Sequence, residues 1–175
     1  MALVLVIEDG TGLASANSFI TLEEFDAYYE IYGNAGTDPT AWADEFKTQM
    51  VIRAAYAMLS CDWLGVPATL TQALSFPRRN LRTKEGVLVD ETTVPVFAKY
   101  GQAAWAGALG QSVVEANTED IRGITSLSIA GMVSLTLDGT QRSSDDIPNA
   151  ALLWIGPYCI PPSTGGFQSI RTVRA

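Results

Sequence analysis

The chain has 175 residues, the size of one domain, and 47% hydrophobic against 17% charged residues leaves it apolar enough for a buried core and too apolar for disorder. Eleven Lys and Arg face nineteen Asp and Glu, a net charge of −8 with no histidine. The usual general base and commonest metal ligand are therefore missing, and a bulk nucleic-acid binder, which needs concentrated Lys and Arg, is disfavoured.

In chain order, residues 3–7 predict a short buried strand ended by Asp9-Gly10, followed by a small-residue loop. Thr21-Leu22-Glu23-Glu24 is a capping box. Leu22, Phe25, Tyr29 and Tyr32 then recur at helical spacing until Gly33-Asn34. Asp38-Pro39 starts a second helix, expected to reach Trp63, with Trp42, Phe46, Met50, Ala54, Ala57 and Cys61 in 3- and 4-residue steps. Its middle, residues 51–59, is apolar all round apart from Arg53, which predicts burial on more than one side. An irregular stretch over residues 67–93 carries Arg78, Arg79 and Arg82. Val94-Pro95 opens a third helix to about Leu109, whose Ala and Gly residues permit close approach of a neighbour. A fourth short helix covers residues 148–158, and a Ser/Thr/Gly-rich tail follows Pro161-Pro162.

Residues 126–138 admit two readings. As one long strand bent at Gly131, Leu127, Ile129, Val133 and Leu135 share a face and the hydroxyl residues the other. A hairpin about Ala130-Gly131 mixes the two sets, so the single strand is favoured. Short of partners, such a strand offers Leu127, Ile129, Val133 and Leu135 for edge pairing with another subunit, or for a small intramolecular sheet. The fold class expected is mainly α: a bundle of about four helices with a minor β element near residues 124–138. Residues 1–160 form the domain and 161–175 an extended C-terminal arm.

Charge is unevenly placed. Residues 1–62 hold ten acids and two bases, whereas the last 29 residues hold Arg171 and Arg174 and no acid. That polarity suits head-to-tail association or docking on partners of opposite sign. Cys61 and Cys159 make neither a metal site nor a disulfide framework and point to a reducing cytoplasm. No apolar run is long enough to span a bilayer, so no membrane is expected. Gly10-Thr11-Gly12 lacks the residues of a phosphate loop and reads as a turn. Asp145-Asp146 and Glu119-Asp120 read as helix-start or loop carboxylates, and no catalytic, metal-binding or cofactor-binding residue is expected. Arg78, Arg79 and Arg82 beside Trp63 and Phe76 form the one basic patch with aromatics. Ion pairing with the acidic helices, within or between subunits, fits their number better than stacking on nucleic acid.

Three segments carry a family resemblance. They are Val6-Ile7-Glu8-Asp9-Gly10-Thr11-Gly12, then Ala16-Asn17-Ser18-Phe19 running into Thr21-Leu22-Glu23-Glu24-Phe25, and Thr71-Gln72-Ala73-Leu74-Ser75-Phe76-Pro77-Arg78. Over about residues 4–100 the chain resembles tailed-bacteriophage proteins labelled DnaT-like single-stranded-DNA-binding proteins, whose members look like head–tail connectors of the phage neck. The resemblance implies a non-enzymatic adaptor: a homo-oligomeric ring, of dodecamer type, between the portal protein and the next neck or tail-completion protein. It would be assembled in the host cytoplasm, reside in the virion and let double-stranded DNA pass without tight binding. In that reading the arm docks through Phe167, Ile170, Arg171, Val173 and Arg174, and the acidic surface lines a channel. The alternative is a single-stranded-DNA-binding replication module that uses Trp63, Phe76, Arg78, Arg79 and Arg82.

Overall fold

A computed structural model describes residues 3–33, 38–118, 126–129, 133–136 and 147–160. The fold is mainly α with a minor β component. Helix α1 (Leu22–Tyr32) begins as the sequence predicts: Thr21 Oγ1 accepts from the Glu24 amide at 3.1 Å while the Glu24 carboxylate accepts from the Thr21 amide at 2.9 Å. Gly33 ends it, its amide donating to the Tyr29 carbonyl.

The second predicted helix is broken into parts. Asp38 accepts from the Thr40 amide and caps a 3-10 turn, Pro39–Ala41; the chain then runs extended through Trp42 and Ala43 before α2 (Asp44–Ala57). A further 3-10 turn, Met58–Ser60, leads to a two-residue strand β1 (Asp62–Trp63), so the helix stops short of Trp63. Asp38 serves one turn only, and Ala43 brings no side chain to cap the next. Burial along α2 and the 3-10 turn after it is also one-sided. Val51, Ala54, Ala55 and Met58 are buried, whereas Tyr56 and Leu59 are about half exposed. Lys47 is buried and held at 2.9 Å by Asp26 of α1, which ties the two helices together.

Helix α3 (Val96–Thr118) is longer than predicted and packs most extensively against α2 and α4 (Asn149–Ile155). Its small residues are consumed inside the protomer. A methyl group at Gly101 would meet Ile155, one at Gly107 the Tyr29 hydroxyl, and one at Gly110 the Trp42 ring. The small-residue face is therefore an internal seam for α1, the 3-10 turn and α4. It is no lateral surface for a second copy.

At the centre sits Gln102, fully buried on α3. Its Oε1 accepts from the Phe19 amide at 2.8 Å, and its Nε2 donates to Ser18 Oγ at 3.0 Å and the Val51 carbonyl at 2.9 Å. One side chain thus joins the N-terminal loop, α2 and α3, and satisfies the Phe19 amide that burial would otherwise leave unpaired. The N-terminal segment is extended but makes only a single bridge, Ile7 to Ser18. Asn17 substitutes for a partner strand, its Oδ1 accepting from the Val6 amide and its Nδ2 donating to the Val4 carbonyl.

Among the described residues the β elements form three two-stranded ribbons: β1 with β6 (Cys159–Ile160), β2 (Val66–Pro67) with β3 (Arg78–Arg79), and β4 (Ser126–Ile129) with β5 (Val133–Thr136). The last pair corrects the single-strand expectation. Ile129 pairs with Val133 and Leu127 with Leu135, while Ser126 pairs with Thr136 and Ser128 with Ser134. Three intervening positions, where a two-residue turn had been assumed, reverse the parity and keep apolar opposite apolar. The favoured long edge strand is thus a hairpin paired with itself; the arm residues Phe167, Ile170, Arg171, Val173 and Arg174 lie outside the described residues.

Candidate nucleic-acid interface

The glycine loop after residue 7 is closed to phosphate by its own chain. Buried Glu8 accepts from the amides of Gly10 and Gly12 through Oε1, at 2.9 and 2.8 Å, and from Leu13 through Oε2 at 2.8 Å. An amide nest that would suit an anion is filled by a carboxylate. Gly10 is required at φ +99°, where a side chain would also strike the Thr92 carbonyl.

The predicted basic-aromatic patch separates into an inner and an outer half. Phe76 is fully buried, edge-on to Phe19, Trp63 and Phe97, with ring centroids 4.9–5.9 Å apart. No base can stack on it. Arg78 is buried too: its Nε donates to the Leu64 carbonyl at 2.9 Å, Nη1 to Ser75 at 3.2 Å, and Nη2 to Trp63 at 3.2 Å and Gly65 at 2.9 Å. The fork of the guanidinium gathers four carbonyls of the β1–β2 turn and the segment before β3. As nucleic-acid contacts, Phe76 and Arg78 are therefore withdrawn. Their place in the sequence beside Pro77 and two further arginines gave no hint of which way each would turn.

The outer half is accessible. Arg79, opposite Val66 in the β2–β3 ribbon, is exposed and makes only a long surface pair with Glu91 at 3.7 Å. Arg82 is exposed and donates to the Gly86 carbonyl at 2.7 Å, closing a tight loop. A bridge between Arg82 and Leu88 and the Thr83–Val87 backbone bond complete that loop. Exposed Lys84 stands on the same loop, a third cation that the sequence reading passed over. Its signal was the turn chemistry of Thr83-Lys84-Glu85-Gly86, with Gly86 at φ +83°.

Trp63 lies between the halves. Its Nε1 donates to the Met58 carbonyl at 2.8 Å, fixing the ring on the wall of an open cleft of about 450 Å³ that Leu70, Gln72, Cys61 and Arg78 also line. Leu70 is fully exposed at its rim. A second aromatic cluster, missed from the sequence because its rings come from three helices, joins Tyr32, Tyr100 and Trp154, with centroids 4.9–5.7 Å apart. The neighbouring cation, Lys99, is taken by Glu24 at 2.6 Å. Among the described residues there is no group of acids and cysteines able to hold a metal, and no helix long and apolar enough to cross a membrane.

A family model described as putative DnaT-like ssDNA binding protein matches residues 3–175. The chain belongs to that family. No curated protein and no solved structure matches it. The match extends well past the 4–100 region of the sequence resemblance, and the family's description is of single-strand DNA binding. It overturns the reading of the chain as a phage head–tail connector with a portal-docking arm and an anionic DNA channel. The connector reading rested on the resemblance and on weighing the net charge of −8 against the basic patch; three exposed cations, Arg79, Arg82 and Lys84, stand on the ribbon and loop, with Glu85 on the same loop and Glu91 paired to Arg79.

Proposed function

We propose that the protein is a non-enzymatic, replication-type single-stranded-DNA-binding module that receives the strand on the β2–β3 ribbon and the adjoining loop 82–88. The family match over residues 3–175 carries this reading. The local chemistry supports the place. Arg79, Arg82 and Lys84 supply phosphate contacts, and the cleft beside the ribbon offers the Trp63 ring for a base, a contact worth about 1–3 kcal/mol in single-strand binders.

Three phosphate contacts give a binding constant that falls with salt at a log–log slope of about −2. Fluorescence anisotropy with a labelled oligothymidylate, over a series of salt concentrations, measures that slope. Replacing Arg79, Arg82 and Lys84 together with Ala should lower affinity tenfold or more and flatten the slope, with the helical circular dichroism unchanged. Undiminished binding in the triple variant would remove the ribbon face from the proposal; no binding by the wild-type chain at low salt would remove the function.

A further inference from the structure

We propose that residues 3–7 form an open strand edge on which a second copy of the chain pairs antiparallel, with the two-fold axis at Leu5. The inference is independent of DNA binding, since it uses no residue of the β2–β3 ribbon or its loop. The backbone groups of an extended chain alternate between its two edges. Those of Val4, Val6 and Glu8 face inward. Asn17 Nδ2 donates to the Val4 carbonyl at 2.9 Å, and the Val6 amide donates to Asn17 Oδ1 at 2.8 Å. The Val6 carbonyl accepts from the Asn17 and Ser18 amides at 2.9 and 3.3 Å, and the Glu8 amide donates to the Ser18 carbonyl at 2.8 Å. The groups of Leu3, Leu5 and Ile7 therefore face outward, and among the described residues none of them has a hydrogen-bond partner. Leu3 and Val4 are 55% and 68% exposed, and Ile7 lines an open groove of about 480 Å³ with Thr93 and Val94. A row of unpaired amides and carbonyls of this kind is a template for another strand.

The residues of the edge select its occupant and the direction of pairing. Leu3-Val4-Leu5-Val6-Ile7 is apolar throughout and is followed at once by Glu8 and Asp9. In an antiparallel pair centred on Leu5, Leu5 faces Leu5 and Leu3 faces Ile7 at either end. Each of these pairs exchanges two hydrogen bonds, because these are the residues whose groups point outward. Val4 falls opposite Val6 at the sites without hydrogen bonds, so every position sets apolar against apolar. The two Glu8 residues then stand about 20 Å apart along the strands, beyond the Debye length of about 8 Å, and the two Asp9 residues stand farther still. A parallel pair would instead set Glu8 beside Glu8 and Asp9 beside Asp9 at about 5 Å, in a chain of net charge −8. The carboxylate nearest the edge is also occupied within its own loop, where Glu8 accepts from three amides. A foreign strand would need the same apolar run, and a second copy brings it at equal concentration. The contact is isologous and closes at two copies, each with its own β2–β3 ribbon.

The test uses the full chain with any purification tag at its C-terminus. Sedimentation velocity from about 10 μM to about 1 mM should show monomer passing to dimer, since so short an interface lies at the small end of the size range. Amide hydrogen exchange read by NMR over the same series should slow at Leu5 and Ile7 and stay unchanged at Val4, whose amide faces the inner edge. Leu5→Pro removes the central outward donor, and Leu3→Pro removes another from an exposed residue; each should weaken the dimer at least about tenfold. Val4→Pro, at an amide that makes no hydrogen bond, should dimerise like the parent chain, and all three variants should keep the helical circular dichroism. A chain that is monomeric at every concentration, a dimer that survives Leu3→Pro, or Leu5 and Ile7 amides that exchange at one rate throughout would each overturn the proposal. Protection of those amides only on adding an unrelated apolar strand peptide would assign the edge to a different partner and overturn it as well.

Discussion

Arg78 and Arg79 are neighbours on one two-residue strand and lead opposite lives. The first is buried with four carbonyls around its guanidinium; the second stands in solvent with one carboxylate at 3.7 Å. The same division runs through the molecule. Inside, Gln102, Ser18, Glu8 and Lys47 are each held by specific partners. Outside, the cations of the ribbon and loop keep donors in reserve. Interior polar groups here are joints between segments, and the polar groups available to a ligand are those the fold left uncommitted.

Arg78→Ala is the largest expected effect. It strips hydrogen bonds from four carbonyls near the β1–β2 turn, and bonds to a charged donor contribute about 1.5–3 kcal/mol each before relaxation and water replace some of them. A loss of about 3–5 kcal/mol in urea-unfolding stability follows, and Arg78→Lys recovers little because an ammonium lacks the planar fork. Arg79→Ala, one residue on, should change stability by less than about 1 kcal/mol, the ordinary worth of a surface pair. Similar losses in the two variants would break the inside–outside distinction.

Gln102→Leu comes next. Leucine fills the space but leaves the Phe19 amide without an acceptor in the core, while the Val51 carbonyl keeps its helical bond, for an expected cost of about 1–3 kcal/mol. Hydrogen exchange gives a sharper readout than the midpoint alone. The Phe19 amide should lose protection by more than the global destabilisation accounts for, since its acceptor is gone.

The glycines carry the comparison into packing. Gly107→Ala forces a methyl group into the Tyr29 hydroxyl, which itself donates to the Ala103 carbonyl at 3.3 Å, and overpacking of this kind costs about 1–3 kcal/mol. Gly86→Ala meets nothing within 4 Å and bears only the strain of φ +83°, about 1 kcal/mol. Thermal unfolding of the two variants separates the seam from the loop.

Local signals were the legible part of this chain. The capping box of α1 involves residues three apart, and the α-rich character follows from the periodicity around it. The break between the 3-10 turn and α2 was not legible, because Asp38-Pro39 starts a turn as well as it starts a helix. The register of β4 and β5 depended on a loop one residue longer than assumed. Long-range partnerships were hidden for a different reason. Gln102 meets Phe19 across 83 positions and Trp154 meets Tyr28 across 126, and no spacing rule reaches that far. The patch residues were near one another in sequence, as expected, yet adjacent residues of an extended chain point to opposite sides, which separated Arg78 from Arg79.

The smallest effect concerns the exposed carboxylates. Asp9, Asp38 and Asp90 each accept from the hydroxyl and amide of a threonine two residues on, and those bonds hold all three below the usual carboxylate range. A folded-state value lower than the unfolded one means that the contribution is complete above the unfolded value of 3.8 and fades as pH falls through the folded one. Urea midpoints taken from about pH 5 down to about pH 2.5 should therefore decline with a slope that the triple Asn substitution reduces, since an amide keeps an acceptor but cannot titrate. The three turns sit in solvent, so the reduction is modest. A slope untouched by the substitutions would assign the acid response to other carboxylates, the exposed Glu85 beside Thr83 and Lys84 among them, and the three Asp–Thr turns would then add nothing to the response to protons.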